Sequence, residues 1–353
     1  MVRLGLAGIG LLVLGGCADT QYYWQSVNGH LRLMQAAQPV AQWLQDSQTP
    51  ASLKERLRLS QRMRDFAVTE LALPDNASYR SYADLHRSAV VWNVVAAPEL
   101  SLTLQPWCFP VLGCVSYRGY FDETQARQLA QQLQAQGLEV TVYGVPAYST
   151  LGWMNWAGGD PLLSTFIDYP EGELARLLFH ELAHQVLYAL DDTMFNESFA
   201  TTVERMGGTR WLQTQASDTA RAQYAAFDDR RRAFRTLVLS TRTQLQLLYA
   251  NPDGLAREPL LQRKQRVMQE FRAQYAVLKA GWGGYAGYDS WVATANNASL
   301  GAQAAYDALV PQFEALFAGQ GRSWPAFYDA VRRIAALPVA ERRDALERAA
   351  HTQ

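Results

Sequence analysis

Between Tyr22 and about Leu73 apolar residues recur at helical spacing (Leu31, Met34, Trp43 and Leu44, then Leu53, Leu57 and Met63), which predicts two helices broken near Thr49-Pro50. The period then changes. Ala89 to Val95 is a β-branched, apolar run, Cys114 to Phe121 alternates around Arg118, and Leu138 to Val145 predicts a third strand. Between the last two, Glu123 to Gln136 reads as an amphipathic helix ended by Gly137. From Glu171 onward the pattern is helical: Glu171 to Leu190, Glu197 to Met206, a long pair from about Ser217 to Tyr249 and Leu255 to Ala280, then helices after Asn297, Trp324 and Val339. Gly281-Trp282-Gly283-Gly284-Tyr285 interrupts them as a loop. The expected fold class is α+β and predominantly helical, a small β-sheet followed by a helical part. Residues 17–353 are read as one domain, with helices and the small sheet in 17–150 and the helical part in 151–353.

Composition changes this picture mainly at the N-terminus. With 49% hydrophobic residues and a net charge of −1 over 353 residues, the chain can bury a sizeable core and gives no support for a nucleic-acid partner. Arg230-Arg231-Arg232 is short and preceded by Asp228 and Asp229, as on a solvated helix face. Arg3, the apolar run Leu4 to Leu14 and the small residues after it form a secretory signal, too short for a comfortable membrane span. Its end, Leu14-Gly15-Gly16-Cys17, looks like a bacterial lipoprotein processing box. Residues 1–16 are therefore expected to be removed, and Cys17 acylated as a stable membrane anchor. Alanine rather than aspartate after Cys17 implies, by resemblance to such lipoproteins, the outer membrane of a bacterial envelope, facing the periplasm. In that oxidising compartment Cys108 and Cys114 are expected to form a disulfide. Pro110 and Gly113 permit the turn, and closing so small a loop contributes about 2 kcal/mol in the chain-entropy model.

The candidate chemistry is concentrated between Phe179 and Gly207, which hold two of the five histidines of the chain. His180 and His184 are at i and i+4, so about 400° of helical rotation returns them to one face, where they can bind a single ion. Glu181 stands about 100° further round, beside such an ion, placed to take a proton from a water that the ion activates. This is the His-Glu-x-x-His arrangement of zinc metallopeptidases. A catalytic zinc needs a third protein ligand and keeps a fourth position for water. Glu197, in Asn196-Glu197-Ser198-Phe199-Ala200 at the start of the next predicted helix, is the strongest candidate, and Asn196 is the N-cap or neighbour of that helix start. Glu204, two turns further on roughly the same face, is suited to a hydrogen bond behind a ligand. Asp191 and Asp192 read as turn residues.

His180-Glu181-Leu182-Ala183-His184-Gln185, followed by Asn196-Glu197-Ser198-Phe199-Ala200-Thr201-Thr202-Val203-Glu204, resembles the gluzincin metallopeptidases, in particular the zinc aminopeptidase pattern of HELAHQ, then NEGFA with a VE pair. The lipoprotein signal, the stretch from Ala147-Tyr148 to Trp153 and the later Asn296-Asn297-Ala298 are similar to a family of bacterial cell-envelope aminopeptidases, over most of the chain. That resemblance implies Zn(2+) as cofactor, a peptide or protein substrate, and hydrolysis of a peptide bond with Glu181 as general base. It also implies a Tyr or His that stabilises the oxyanion, for which Tyr148, Tyr288 and Tyr306 are candidates.

Two departures bear on specificity. The gap between His184 and Glu197 is shorter than in the well-studied zinc aminopeptidases, so the connection between the two helices differs. The Gly-x-Met-Glu-Asn segment that holds the substrate's free amine in those enzymes is missing. An envelope endopeptidase is therefore the alternative activity. A non-catalytic zinc-binding scaffold is the alternative of a different class, although a scaffold has no need of Glu181. Trp153-Met154-Asn155-Trp156 is more readily packing under the zinc helix than a cleft lining. Tyr117-Arg118-Gly119-Tyr120 is a candidate edge for pairing with an extended peptide. His30 and His86 have no partners in a motif.

Overall fold

The computed structural model describes residues 7–109, 113–147, 149–150, 158–251, 253–303 and 308–351, and for 7–21 the backbone course alone. Helix α1 (Ala7–Ala36) is followed by the two-residue strand β1 (Gln38–Pro39), the short α2 (Val40–Gln45) and α3 (Ala51–Leu71). The break expected near Pro50 is present, because Pro50 is the residue before the first turn of α3, where its fixed φ suits the helix and its missing N–H removes no intrahelical bond. A further break at Ala37 had no local signal. It arises because Gln38 and Pro39 pair with Tyr82 and Ser81 of β2 (Ser81–Ala83), which lies far along the chain.

The central sheet has β3 (Val91–Pro98) in the middle, with β6 (Arg118–Tyr120) on one side and β7 (Leu138–Val145) on the other, both antiparallel to it. Helix α4 (Glu123–Ala135) carries the chain across from β6 to β7 and packs Ala126, Ala130 and Leu133 against Val94, Ala96 and Val140. Cys114 to Phe121, expected as one strand, is two. Gly113–Val115 (β5) forms a hairpin with Trp107–Phe109 (β4), in which Cys108 stands opposite Cys114 and is joined to it by a disulfide. The cross-link gives 113–115 a different partner, and the chain returns to β3 at Arg118. A second small sheet runs β1, β2 and β8 (Leu162–Leu163), with β8 parallel to β2.

The rest is helical: α5 (Glu171–Ala183), α6 (Thr193–Thr214), α7 (Asp218–Ala250), α8 (Arg257–Gly281), α9 (Asp289–Thr294), α10 (Asn297–Gln303), α11 (Val310–Gly319), α12 (Trp324–Ala335) and α13 (Val339–His351). The fold is thus α+β and predominantly helical, as the two hydrophobic periods predict. α5 starts after Pro170 with Glu171 and Glu173 in its first turn, which complements the positive end of the helix dipole. It buries Leu174, Leu178, Phe179 and Leu182 in a core shared with Met63 and Phe66 of α3, Phe199 and Val203 of α6, Phe313 of α11 and Phe327 of α12. Each such side chain contributes about 1.5–3 kcal/mol, so α5 and α6 sit on the most firmly held part of the molecule. α7 and α8 form a separate cluster through Phe234, Phe271 and Tyr275.

α6 runs on to Thr214, past the expected end at Met206, and two further boundaries that differ from the sequence expectation bear on the site. α5 ends at Ala183 rather than Leu190, and α6 begins at Thr193 rather than Glu197. After His184 the chain tightens, with Gln185 N donating to Leu182 O (3.1 Å) and Val186 N to Ala183 O (2.9 Å). Asn196 then holds the turn from inside α6: its Oδ1 accepts from Ala189 N (2.8 Å) and its Nδ2 donates to Ala189 O (2.7 Å). Asn196 is therefore a buried clamp on the turn. The N-cap is Asp192, whose Oδ1 accepts from Phe195 N at 3.1 Å.

Candidate metal and catalytic centre

α5 and α6 are antiparallel, so the C-terminal turn of one faces the N-terminal turns of the other. His180 and His184 project from α5 with Nε2 atoms 3.2 Å apart. Glu197, in the second turn of α6, places Oε2 3.3 Å from His180 Nε2 and 3.8 Å from His184 Nε2. These three residues form a group whose ligand atoms could hold a metal ion. Their side chains are 13%, 9% and 14% exposed, buried but still reachable from solvent.

The protonation pattern suits a cation. His180 Nδ1 lies 2.9 Å from Glu204 Oε2. Arg176 Nη2 bonds Glu204 Oε1, and opposed by this neighbour and by His180, burial fails to raise the Glu204 carboxyl, which falls to about 2. An ionised carboxylate only accepts, so His180 keeps a proton on Nδ1. Burial would lower this imidazole, but Glu197 and Glu204 reverse it and raise it well above its ordinary value. Without a metal Nε2 is therefore protonated toward Glu197, and a bound cation would displace that proton. Burial lowers the His184 imidazole to about 4, keeping it neutral. Burial would raise Glu197, but His184 and His180 reverse it and hold the carboxyl below its ordinary value. A neutral His184, a His180 whose Nε2 proton faces Glu197, and the Glu197 carboxylate thus crowd around one point, where a cation would take the place of that proton.

Behind this group, Arg176 also reaches Tyr224 Oη (3.0 Å) and Asp228 Oδ1 (3.6 Å), while Asp228 and Glu173 both engage Arg231. The close approach needs glycine: a Cβ on Gly208 of α6 would lie 2.6 Å from Arg176 Cγ. Arg176, one turn before His180, was not singled out from sequence, although its i−4 spacing and the Glu204 spacing to Glu197 together carried the signal.

Glu181 lies half-buried beside the group. Burial raises its carboxyl to about 7, with Glu197 and Asp160 adding to the effect and His180 opposing it. Gln185 fixes the end of α5 against an earlier loop: Asn76 Nδ2 donates to Gln185 Oε1 (2.7 Å), and Gln185 Nε2 donates to Ser78 Oγ (3.1 Å) and Asp160 Oδ2 (3.4 Å). The turn 185–192 is held from outside as well. Arg342 Nη1 donates to Leu190 O (2.9 Å) and pairs with Asp192 (3.4 Å), and Asp191 Oδ1 accepts from Cys114 N (2.7 Å). The disulfide hairpin is thereby tied to the turn between the ligand helices.

The tyrosines fall differently from expectation. Tyr288 stacks on Phe234 at 4.0 Å in the α7–α8–α9 cluster and is not among the groups that sense the ligand carboxylate. Tyr148 and Tyr306 lie outside the described residues, as do Leu151 to Trp156. The phenols raised by burial and by Glu197 include Tyr117, just before β6, Tyr188, in the turn after α5, and Tyr143 of β7, where a hydrogen bond with Asn93 opposes the shift. Tyr188 is four residues after His184, a spacing visible in the sequence; Tyr117 arrives through the sheet and had no such signal. Tyr79 is buried with its Oη unpartnered among the described residues, and burial followed by Glu181 raises it.

The β6 edge is closed to an added strand at its centre, because Gln25 of α1 meets it, with Phe121 N donating to Gln25 Oε1 (3.1 Å) and Gln25 Nε2 reaching Gly119 O (3.5 Å). Asn296 and Asn297 fasten α10 to the sheet through Val140 O (3.0 Å) and Glu99 O (2.8 Å). His86 is exposed, 3.4 Å from Asp84, and His30 lies in α1. For Cys17 the structure gives only its place in α1. No helix among the described residues is long and apolar enough to cross a membrane.

A family model described as "Putative aminopeptidase" matches residues 21–346, which include the centre and every helix behind it. No curated protein and no solved structure matches the chain.

Proposed function

As the chain belongs to the putative aminopeptidase family, we propose that it is a zinc-dependent peptidase of the gluzincin type that removes N-terminal residues from peptides. One observation carries the reading: the donor triangle of 3.2, 3.3 and 3.8 Å. Tetrahedral zinc with bonds of about 2.0–2.2 Å spaces its ligand atoms by about 3.3–3.6 Å, so His180, His184 and Glu197 match it to within about 0.2 Å. Zinc, when bound, would supply Lewis-acid polarisation of the scissile carbonyl and acidify a water.

The chain's own groups do the rest. Glu181, half-buried and off the metal face, takes a proton from the attacking water and passes it to the leaving amine. Glu204 orients His180 and fixes its tautomer, and Arg176 keeps Glu204 ionised. Tyr117 or Tyr188 is the hydrogen-bond donor to the developing oxyanion. The remaining carboxylate near Glu181, Asp160, is 1% exposed and accepts from Thr150 N at 3.1 Å, an arrangement unsuited to receiving a substrate's ammonium. That detail favours the second reading, an envelope endopeptidase. The N-terminal sequence supports processing before Cys17, acylation of that residue and attachment to the outer membrane on its periplasmic side.

The test is to load the protein with zinc, count the bound metal, and offer it one peptide pool in free and N-acetylated forms, with products read by mass spectrometry. Single-residue losses confined to free peptides are the expected result. Internal cuts in both pools would replace the aminopeptidase by the endopeptidase, and zinc binding with no cleavage would point to the scaffold.

A further inference from the structure

α1 carries apolar side chains on both of its faces. Facing the protein are Tyr22, Gln25, Ser26, Gly29 and Leu33: Gln25 meets the β6 edge, Leu33 is 3% exposed, and a Cβ on Gly29 would lie 2.1 Å from Phe121 Cγ. Facing away are Trp24, Val27 and Leu31, which are 69%, 54% and 50% exposed. At about 100° per residue the two sets point about 180° apart. A helix on the surface of a soluble protein keeps its apolar stripe inward and a polar face outward. A contiguous apolar stripe left outward marks a contact surface, and none of the described residues buries this one.

Position 17 identifies what covers it. It lies in the same helix, seven residues before Trp24 and fourteen before Leu31, so it returns to within about 40° of the stripe, and the line from 17 to 31 is about 21 Å long. From Tyr22 to Ala36 there is no Asp or Glu, and Arg32 is the one Lys or Arg, so α1 itself sets no carboxylate against an anionic headgroup; Asp84 and Asp122 line a cleft at its flank together with Arg32 and Arg87. Trp24 and Tyr23 combine an apolar ring with a polar edge, the composition that seats helices at the boundary between headgroups and acyl chains.

We propose that the outward face of α1, carried by Trp24, Val27 and Leu31 with Tyr23 at its margin, lies flat in the surface of a lipid bilayer. Acyl chains on Cys17 enter the same bilayer from the same line, so anchor and helix act as one footing. This rests in part on the acylation of Cys17 proposed above and is independent of the peptidase chemistry. The footing extends into the fold, because Tyr22 stacks on Phe109 of the disulfide hairpin (5.5 Å) and carries Arg118 over its ring (4.0 Å). The hairpin, β6 and the turn that Cys114 holds through Asp191 would thus stand at a fixed height above the lipid.

The experiment uses full-length protein expressed with its signal and reconstituted into phosphatidylethanolamine–phosphatidylglycerol vesicles. Single cysteines replace Trp24, Val27 or Leu31, with Val277, 73% exposed on α8, as the control position. Cys108 and Cys114 are paired and Cys17, when acylated, does not react, so one thiol carries a fluorophore. Iodide quenching should fall at least threefold on reconstitution at positions 24, 27 and 31 and stay unchanged at 277. Labels that remain open to iodide while mass spectrometry finds Cys17 acylated would overturn the proposal and leave the anchor intact. If Cys17 is unmodified, the anchor reading fails, and protection of the three labels by vesicles alone would still support the footing. Protection in detergent that disappears on dilution would assign the face to a second copy of the chain and overturn the membrane assignment.

Discussion

Glu181 and Glu204 flank His180 in different ways, and replacing each should separate chemistry from metal retention. Glu181→Gln keeps the shape of the side chain but cannot accept a proton. The zinc content and melting temperature should stay near those of the parent, while turnover falls by about 10²–10⁴, the span of general acid–base catalysis. Activity that survives in a purified preparation would sink the mechanism. Glu204→Gln removes the charge that Arg176 Nη2 and His180 Nδ1 both address. Loss of such an outer partner weakens metal affinity by about 10–100-fold, so competition with a chelator should show the loss, and excess zinc should restore turnover. At this scale the sequence was most informative where geometry is local. His180, Glu181 and His184 are related by helix rotation alone, which no tertiary contact can change. Tyr117 and the Arg176–Tyr224–Asp228 support depend on which helices meet, and a local pattern does not contain that. Tyr288 shows the same limit from the other side, since its neighbour Phe234 belongs to a different cluster.

At the level of elements, the site depends on how closely α5 and α6 approach, and adjacent glycines of α6 govern that distance. A Cβ on Gly208 meets Arg176 Cγ at 2.6 Å, whereas one on Gly207 meets Leu71 Cδ1 at 2.6 Å and Phe179 Cδ2 at 3.1 Å. Alanine gains about 1 kcal/mol of helix propensity over glycine, but overpacking costs about 1–3 kcal/mol. The clash should at least offset that gain, and both variants should lose up to about 2 kcal/mol in urea unfolding. They should differ in zinc affinity. Gly208→Ala displaces the arginine that holds Glu204 and should weaken metal binding by about tenfold, within the range of such supporting contacts, while Gly207→Ala disturbs only apolar packing and should leave it unchanged. Equal affinities would remove Arg176 from the account of the site. The α5 helix was read as continuing to Leu190 because Val186, Leu187 and Tyr188 extend the apolar spacing. What stops it is Asn196 reaching back to Ala189 and Gln185 reaching Asn76 and Ser78, contacts that pattern and propensity do not encode. The N-cap at Asp192 obeys a legible rule, an aspartate accepting from the backbone N–H three residues on.

For the whole molecule, the fold class was legible because one hydrophobic period gives way to another along the chain, while the joints between its parts were not. One joint gathers distant segments around Asp160. Its carboxylate accepts from Thr150 N at 3.1 Å and from Gln185 Nε2 at 3.4 Å, and its backbone N donates to Ser78 Oγ at 3.0 Å. The loop before β2, the segment after β7 and the end of α5 therefore meet on one acid that is 1% exposed. Burial outweighs these hydrogen bonds and raises the carboxyl from 3.8 to about 6. The sign of the consequence is fixed by linkage. Between those two values the folded state keeps the proton that the unfolded chain has released, so Asp160 favours folding at low pH and its contribution is lost as pH rises through about 6. A shift of about two units corresponds to roughly 2–3 kcal/mol. Asp160→Asn keeps an acceptor for Thr150 N and does not titrate, so every other ionisable group cancels in the comparison. The stability of the parent minus that of Asp160→Asn, from urea unfolding at pH 4.5 and 7.5, should therefore be more favourable at the lower pH by an amount of that order. A difference that is the same at both pH values would mean that the acid is ionised in both, and that its hydrogen bonds, rather than its burial, set its charge.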